Sequence, residues 1–389
     1  MSSSRESAIV DEVIDRTARL VSIPSVSAVQ PAFDQSNERI IDELTLWFDQ
    51  IGFETLKIPV PGVPGKFNFM ASLGQGDGGL VLSGHTDTVP CDAKLWASDP
   101  FTLTKHDGGL VGLGVADMKS FFAFAFIAAR TQRDAIKRPL VVLGTADEES
   151  GMDGAKALVR SSVTLPRLAL IGEPTSFVPI VAHKGVSFER LVIRGRSGHS
   201  SRPELGLNAI EAMVVALSVL KKHREQLVVE KSDLRFVPPH TTLNFGAIAG
   251  GDNPNRICGE CELLFDVRPV PGTDLLALRS SIQHQLQNHP ELSGFELSLA
   301  PMHEPVPPYA ISDGAQTFVH GLELMTGQKS AGVSFGTEAP YLQQLGAQSV
   351  ILGPGSIDVA HQPNERLEIT RLAEYQELVS SLVAKHCIN

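Results

Sequence analysis

Residues 80–90 read LVLSGHTDTVP, and the rest of the chain is organised around them. The first three residues are apolar and typical of a buried strand, which ends by presenting His85, and the carboxylate of Asp87 follows two residues later. A metal-binding histidine commonly has a carboxylate beside it that fixes the orientation of its ring. A single His-x-Asp at a strand end also occurs by chance, so its interpretation depends on what the other strand ends carry.

Other strand ends present acidic or histidine side chains in the same way. Buried-type strands are predicted at 140–144, 168–172 and 350–353, and an almost wholly apolar helix at 120–130. The side chains that follow these strands or precede this helix are Asp117, Glu148, Glu149, Glu173 and His361. Strands that alternate with helices predict an α/β fold, a mostly parallel sheet with helices on both faces, whose ligand crevice lies at the carboxyl ends of the strands. We therefore expect these side chains to gather at one edge of the sheet.

The segment 183–299 has a different pattern. Its predicted elements run strand, helix, strand, strand, helix, strand, which is the order of a ferredoxin-like α+β sandwich. We interpret it as an inserted domain, with the catalytic domain formed by 1–182 and 300–389. A chain of 389 residues exceeds what one hydrophobic core usually holds, so two domains are also expected from length alone.

The composition is that of an ordinary globular protein, with 42% hydrophobic and 20% charged residues. The formal net charge of -11 argues against nucleic acid or an anionic membrane as a main partner, because phosphate binding depends on Lys and Arg. No apolar run approaches the roughly 18 residues of a membrane span, and no signal peptide is visible. Together with the four scattered cysteines, these features predict a cytoplasmic protein.

Cys258 and Cys261 form a Cys-x-x-Cys pair without the second pair of a zinc site, so a structural role is favoured over a redox or metal-binding one.

Two histidines with three or four carboxylates make a mixed nitrogen and oxygen ligand set, which suits Zn, Co or Mn better than Mg or Ca. Five ligands that share one carboxylate would hold two metals, and a pair about 3.5 Å apart clamps a bridging hydroxide and polarises a carbonyl. Glu148 and Glu149 are adjacent, so we expect one to bind metal and the other to act as general base, although position alone does not say which. Each element also has a structural alternative: acids suit the start of a helix, and Glu173-Pro174 suits a turn.

Five short stretches occur in a fixed order over nearly the whole chain. They are HTDTVP at 85–90, ADMK at 116–119, DEE at 147–149, GEPT at 172–175 and AHQPNE at 360–365. Together they resemble the family of co-catalytic metallopeptidases that includes aminoacylases, glutamate carboxypeptidases and desuccinylases. The resemblance implies a catalytic domain of the di-zinc peptidase type, with the inserted domain as the lid and dimerisation domain of a homodimer.

The resemblance assigns the candidate ligands to two divalent metal ions, Zn or Co. It implies that His85, Asp117 and Glu173 bind the first ion. It further implies that Asp117, Glu149 and His361 bind the second, so that Asp117 bridges the pair. These assignments come from the family likeness, because the spacing of the residues does not distinguish the two ions.

The resemblance also implies three catalytic residues. Glu148 would be the general base, and Asp87 would orient His85 and raise its basicity. In the inserted domain, His199 would reach the active site, across the dimer in some family members, and stabilise the oxyanion. The structural alternative for His199 is a loop histidine that caps the helix after Pro203.

One branch of the family matches additional stretches. They are DPFTLT at 99–104, NRIC at 255–258, GTEAP at 336–340 and GPGSI at 353–357. That branch hydrolyses N2-acetyl-L-ornithine to L-ornithine and acetate in arginine biosynthesis, with a metal-bridged hydroxide and a glutamate general base. The resemblance therefore implies a small-molecule N-acyl amino acid as the substrate.

Four residues resemble the substrate contacts of this branch. Asn255 and Arg268 would bind the α-carboxylate of the substrate, for which a planar guanidinium fork is well shaped. Gly336 and Thr337, in the GTEAP stretch, complete the predicted substrate site. A structural salt bridge is the alternative role for Arg268.

Three alternative functions remain open from the sequence. The nearest keeps the chemistry and changes the substrate to N-acetylcitrulline, succinyl-diaminopimelate, a general N-acyl amino acid or a dipeptide. Another is an amino-acid-binding relative that has lost catalysis, although a binding protein would need no general base. A serine hydrolase is the weakest, because residues 198–200, Gly-His-Ser, lack the G-x-S-x-G turn between strand and helix.

Overall fold

The computed structural model describes residues 3–161 and 163–388 of the chain. The α-helices are α1 Ser3–Val21, α2 Glu38–Gln50, α3 Ser120–Gln132, α4 Asp153–Val159, α5 Ala209–Glu230, α6 Leu275–Gln287, α7 Gln316–Thr326, α8 Ala339–Gln344 and α9 Leu372–Val383. The strands are β1 Glu54–Pro59, β2 Phe67–Leu73, β3 Leu80–His85, β4 Thr104–His106, β5 Gly109–Val111, β6 Leu140–Thr145, β7 Leu168–Ile171, β8 Ile180–His183, β9 Ser187–Arg194, β10 Gly198–His199, β11 Thr242–Gly250, β12 Arg256–Ile257, β13 Glu260–Arg268, β14 Glu296–Pro301, β15 Tyr309–Ala310, β16 Ala331–Val333, β17 Gln348–Ile351 and β18 Arg366–Glu368. Among these residues, no helix has the length and apolar character needed to cross a membrane.

The chain forms two compact units. The first comprises Met1–Val181, Ile311–Ala331 and Glu338–Asn389, and the second comprises Ala182–Ala310 and Gly332–Thr337. The predicted insert ended at 299, whereas the second unit continues to Ala310 because β15 pairs with β8 in the register Tyr309 to His183. The lid and dimerisation role of this unit stays a prediction.

The first unit is built on a mixed sheet in which β1, β2, β6, β3, β7 and β17 follow one another. The four neighbours β6, β3, β7 and β17 run parallel, whereas β1 and β2 pair antiparallel toward one edge. Every residue of β3 and β6 is buried, which requires covering layers on both faces. The predicted α/β class is confirmed, with the parallel arrangement concentrated in the centre of the sheet.

Helix α3 is the central helix of the first unit, and every residue from 120 to 129 is buried, as its apolar sequence predicts. Helices α1 and α9 pack against it, and the rings of Phe124 and Tyr375 meet edge to face at 4.9 Å. Because α3 is held on all sides, the loop before its first residue has a fixed position. That loop carries Asp117.

The second unit contains the antiparallel sheet β11-β13-β9-β14, on which α5 and α6 pack. In chain order its main elements are β9, α5, β11, β13, α6 and β14, the order predicted for a ferredoxin-like sandwich. Cys258 and Cys261 are buried free thiols in its hydrophobic core. Their burial agrees with the structural role favoured for the Cys-x-x-Cys pair.

Candidate metal centre

Close packing at two glycines brings the candidate ligands together. Gly84 lies near the end of β3, and a Cβ there would be 2.5 Å from the Met118 methyl carbon. Gly172 directly follows β7, and a Cβ there would be 2.0 Å from a ring carbon of Phe121. Glycine at both positions lets the start of α3 approach the two strand ends. This approach carries Asp117 to the carboxyl edge of the sheet.

Each of the four parallel strands leads to at least one candidate ligand. In sheet order from β6 to β17 these are Glu148 and Glu149, His85, Glu173, and His361. Among the described residues, two sets of side chains have potential ligand atoms that lie within 4.8 Å of one another. They are His85 with Glu148 and Glu173, and His85 with Asp117 and Glu149. The gathering expected at one edge of the sheet is therefore present.

Asp117 lies between the two histidines. Its Oδ1 is 2.9 Å from His85 Nε2, and its Oδ2 is 3.5 Å from His361 Nε2. Glu173 Oε1 is 3.8 Å from the same nitrogen of His85, and Glu149 Oε2 is 3.0 Å from His361 Nε2. The two oxygens of Asp117 thus face different histidine and glutamate pairs, which is the arrangement required of a carboxylate that bridges two cations.

His85 is only 1% exposed, and its ring is oriented by Asp87 in an unexpected way. Nδ1 donates a hydrogen bond to the Asp87 carbonyl oxygen at 3.0 Å, whereas the nearest Asp87 carboxylate oxygen is 3.8 Å away. That carboxylate accepts a hydrogen bond from the Glu149 backbone N–H through Oδ2 at 3.1 Å. The ring therefore hydrogen-bonds the main chain of Asp87, and the nearest carboxylate oxygen, Oδ1, lies within range of an electrostatic interaction with Nδ1 but too far away for a hydrogen bond. Donation from Nδ1 leaves the Nε2 lone pair for a cation.

The cluster is rich in negative charge for its degree of burial. Burial raises the pKa of Glu148 well above its usual range, and burial followed by the charge of Asp117 has the same effect on Glu173. Hydrogen bonds with Asp117 and Glu149 raise the pKa of His361 to about 10. Carboxylates and imidazoles that retain protons in this way release them when a metal binds.

The donor set fits a pair of divalent cations. Two imidazole nitrogens with several carboxylate oxygens are the mixture found in Zn, Co and Mn sites. In the described part of the chain, Asp87 Oδ1 is a further buried acceptor without a hydrogen-bond partner. Added positive charge would therefore stabilise this edge of the sheet. It would not stabilise an ion-pair network whose charges are already balanced.

Glu365 is a functional candidate that sequence reasoning left without a role. It is 2% exposed, and its Oε1 accepts hydrogen bonds from the backbone N–H groups of Ala116 and Asp117 at 2.7 and 2.9 Å. Its Oε2 accepts from the Gly114 N–H at 2.8 Å. Glu365 therefore holds the loop that carries Asp117. Its place in the AHQPNE stretch was the only sequence feature that marked it as a candidate. The residues that it contacts lie about 250 positions earlier in the chain, so no local sequence pattern indicates its role.

Glu338 connects two of the strand ends and was likewise not assigned. It is 1% exposed and accepts hydrogen bonds from Ser83 Oγ on β3 and from Thr145 Oγ1 on β6. Burial raises the pKa of this carboxyl. Glu338 therefore fixes the ends of β3 and β6 relative to one another. These strand ends lead to His85 and to the acidic residues 147–149.

His199 belongs to the second unit, where it is exposed in β10. Its Nδ1 accepts hydrogen bonds from the Ser201 N–H at 3.2 Å and the Ser201 hydroxyl at 2.8 Å. A neutral ring with Nδ1 as the acceptor carries its proton on Nε2, which is the form that can donate to an oxyanion. The alternative role as a helix cap is not observed, because the cap of Pro203–Leu205 is Arg202 and that of α5 is Asn208.

All four predicted substrate contacts also lie in the second unit. Asn255 is exposed beside β12, and its carbonyl accepts a hydrogen bond from the Ser200 N–H at 3.0 Å, which brings it next to His199. Gly336 and Thr337 end the segment Gly332–Thr337. Thr337 is fully buried within the chain.

Arg268 makes the salt bridge that was its alternative role. Its Nε donates to Asp266 Oδ2 at 2.9 Å, and its guanidinium carbon lies 5.7 Å from the centre of the Phe188 ring. The side chain is 30% exposed. The pair with Asp266 orients the guanidinium group.

Comparison with known proteins identifies related sequences. Residues 81–385 match Peptidase family M20/M25/M40. An acetylornithine deacetylase of Pasteurella multocida is 46% identical over 370 residues, which cover 95% of this chain and 96% of that protein. An acetylornithine deacetylase of Photorhabdus laumondii is 43% identical over 377 residues, which cover 97% of each.

Solved structures share the fold at much lower sequence identity. A tripeptidase from Staphylococcus aureus superposes with a TM-score of 0.74 at 20% identity, covering 96% of this chain and 98% of that one. A dinuclear metal-binding peptidase of the M20 family from Bacillus subtilis superposes with a TM-score of 0.66 at 16% identity, covering 97% and 98%. These likenesses establish a shared fold.

Proposed function

Because this chain belongs to peptidase family M20/M25/M40, we propose that it is a metal-dependent amidohydrolase that converts N2-acetyl-L-ornithine into L-ornithine and acetate. The family likeness predicted from five short stretches is confirmed. Two relatives that are acetylornithine deacetylases, 46% and 43% identical over nearly the whole chain, support the choice of substrate. The product ornithine connects the reaction to arginine biosynthesis.

The observation that carries this proposal is the position of Asp117. Its two carboxylate oxygens face two different histidines, at 2.9 Å from His85 and 3.5 Å from His361. A simple ion pair needs one imidazole for one carboxylate, whereas a shared carboxylate between two nitrogen donors is suited to two cations. Hydrolysis of an amide is a reaction for which such a pair is well adapted.

Two divalent metal ions, Zn or Co, complete the proposed site. His85, Asp117 and Glu173 would hold one of them. Asp117, Glu149 and His361 would hold the other, and the dinuclear peptidase of similar fold supports the number. When bound, a pair of this kind lowers the pKa of water toward about 7 and polarises a carbonyl oxygen.

Glu148 is the proposed general base. One of its carboxylate oxygens lies within 4.8 Å of ligand atoms of His85 and Glu173, close enough to reach a water at the site. It takes a proton from the water whose oxygen attacks the acetyl carbon. When the carbon–nitrogen bond breaks, it returns that proton to the departing amine of ornithine. In this proposal Glu149 is the member of the acidic pair that binds metal.

The second unit supplies the proposed substrate contacts. Nε2–H of His199 would donate to the oxyanion, in agreement with the acceptor role of its Nδ1. Asn255 and Arg268 would bind the α-carboxylate, and Gly336 and Thr337 would contact the acyl amino acid. Arg268 already has its Nε committed to Asp266, so a bound carboxylate would use the terminal nitrogens.

A substrate series tests the function directly. With Zn or Co loaded to a defined stoichiometry, we expect kcat/KM for N2-acetyl-L-ornithine to exceed that for N-acetylcitrulline, succinyl-diaminopimelate, N-acetylmethionine and a dipeptide by about tenfold or more. A site whose polar groups bind the side chain of one substrate discriminates against substrates that leave those groups unpaired. A higher value for succinyl-diaminopimelate would make the substrate assignment wrong and leave the amidohydrolase chemistry intact. Metal binding without turnover of any substrate would favour the non-catalytic relative.

The proposal includes a homodimer formed through the second unit. Strand β11 is an edge strand whose residues 246–250 are exposed, and Ile248 is 58% exposed. Ile210 and Val214 are exposed on α5, and a Cβ on Gly251 would be 3.4 Å from Ile210, so this helix face adjoins the strand end. A free strand edge beside exposed apolar side chains favours pairing with a second copy.

We expect Ile248→Lys to convert the dimer to a monomer, because it places a charge on the strand edge that would pair with its copy. Light scattering after size-exclusion chromatography measures the mass of the particle. Val229→Lys is the matched control, since Val229 is 84% exposed near the far end of α5. An unchanged mass for Ile248→Lys would contradict this interface.

Location in the cytoplasm is also part of the proposal. The four cysteines, Cys91, Cys258, Cys261 and Cys387, are free thiols. A reducing compartment maintains thiols in this state.

A further inference from the structure

Lys66 lies directly before β2 and is only 2% exposed. Burying an ammonium group is costly unless charged partners compensate for the lost water. Its Nζ lies 2.6 Å from Asp147 Oδ1 and 2.7 Å from Asp34 Oδ1. A buried cation therefore connects the turn before β2 to the residue that immediately precedes Glu148.

Asp147 is fixed at both its side chain and its backbone. Its Oδ1 accepts a second hydrogen bond from Ser27 Oγ at 2.8 Å. Its carbonyl oxygen accepts from the N–H groups of Gly151 and Met152 at 3.0 and 2.6 Å. Its φ of 57° lies in the left-handed region, which non-glycine residues adopt rarely and only where their surroundings require it. The side-chain contacts are the part of these surroundings that a single substitution can remove.

We propose that Lys66 is a positioning residue for the general base, acting through Asp147 to fix the backbone that carries Glu148 and Glu149. This inference rests on the proposed function, because it takes Glu148 as the base. Asp147 precedes Glu148 by one residue and Glu149 by two, so a rotation of the Asp147 backbone displaces both carboxylates. Asp34 serves as the outer anchor, since its Oδ1 also accepts a hydrogen bond from the Ala28 N–H at 3.1 Å.

Without Lys66, the Asp147 carboxylate would be buried beside other acids and without its cation. Its Oδ1 would keep only the Ser27 hydroxyl as a hydrogen-bond partner, so the left-handed conformation would lose part of its support. The position of Glu148 would spread over several orientations, of which few reach the attacking water. A purely structural role predicts a different result, namely a loss of stability with unchanged chemistry in the molecules that remain folded.

The test compares Lys66→Met with the unmodified protein at full metal loading, below the melting temperature of both. We expect kcat for N2-acetyl-L-ornithine to fall about 100-fold, because proton transfer from a positioned base contributes rate of this order. KM should change by less than about threefold, since no proposed substrate contact is altered. Titration of the metal-free protein should show one metal bound about tenfold more weakly, because Glu149 is displaced as well. Lys66→Arg keeps the charge and should recover most of the lost kcat.

A partly buried ion pair in the second unit supplies the matched control. Arg279 Nη2 is 2.6 Å from Glu189 Oε1, and the two side chains are 15% and 5% exposed. Arg279→Met should lower the melting temperature and leave kcat and metal affinity unchanged. If Lys66→Met lowers the melting temperature in the same way while kcat stays within about twofold, Lys66 is structural only and the proposal is wrong. Should Lys66→Met fail to fold, Asp147→Asn weakens the same contact and carries the same expectation for kcat.

A double variant separates this inference from the proposed function. If Lys66 acts through Glu148, Lys66→Met combined with Glu148→Ala should be no slower than Glu148→Ala alone, because the base is already absent. Additive losses would overturn the positioning role. Undiminished turnover by Glu148→Ala alone would instead overturn the assignment of the base, whatever the result for Lys66.

Discussion

Glu148→Ala is expected to lower kcat about 1,000-fold while both metals remain bound. The carboxylate is the proposed acceptor of the proton from water and its donor to the leaving amine, and such transfer contributes up to about 10,000-fold. None of the contacts between Asp117 and the two histidines involves Glu148, so the proposed ligand sets stay intact. Steady-state kinetics with N2-acetyl-L-ornithine, paired with metal analysis after dialysis, measures both properties on one sample.

Two neighbouring substitutions make this result specific. Glu148→Gln preserves the size of the side chain and its hydrogen bonding, yet cannot take up a proton, so it should be nearly as slow as Glu148→Ala. Glu149→Ala should release one metal, because Glu149 Oε2 lies 3.0 Å from His361 Nε2. Loss of metal from Glu148→Ala together with retention by Glu149→Ala would show that the two roles are exchanged. Full turnover by Glu148→Ala would make the general-base assignment wrong.

The positions of the candidate ligands could be anticipated from sequence because each depends on a local pattern. A buried strand followed by His85, or by Glu173, is visible within about ten residues, and neighbouring parallel strands bring their carboxyl ends together. The same reasoning predicted the element order of the second unit. Short segments such as β8 Ile180–His183 lack enough residues to show a period, so they were not predicted.

The supporting residues could not be anticipated, because their roles depend on contacts between distant parts of the chain. Glu365 accepts its hydrogen bonds from a loop about 250 positions earlier, and Glu338 contacts strands β3 and β6. Lys66 appears in the sequence as an ordinary turn lysine beside Gly65. Asn37 occupies the N-cap position before α2, but its side chain makes no capping hydrogen bond. Its side-chain amide instead donates to the Phe67 carbonyl oxygen and to Thr86 Oγ1. A side chain's partner is decided by tertiary packing even where its backbone position is predictable.

Asp117→Asn is expected to remove the site as a two-metal centre and to reduce turnover below detection at ordinary metal concentrations. The carboxylate offers an oxygen to each side of the cluster, whereas an amide offers one neutral oxygen and places an N–H toward the other imidazole. Substituting residues that merely orient ligands costs about 10- to 100-fold in metal affinity, so loss of the proposed bridging ligand itself should exceed that range. Isothermal titration of the metal-free protein with Zn or Co measures the change.

Thermal unfolding gives an independent measure of the same loss. A metal at 100 times its Kd stabilises the folded state by about 2.7 kcal/mol for each site, so adding metal should raise the melting temperature of the unmodified protein. Asp117→Asn should show little of this increase. Asp134→Asn is the matched control, because it removes the same charge from a side chain that is 89% exposed, and its response to metal should be unchanged.

Chelation of the unmodified protein should abolish turnover reversibly, with recovery on adding metal back. An Asp117→Asn protein that still bound two metals tightly would show that the shared carboxylate is not the bridge, and His85 and His361 would then have to hold their cations through Glu173 and Glu149 alone.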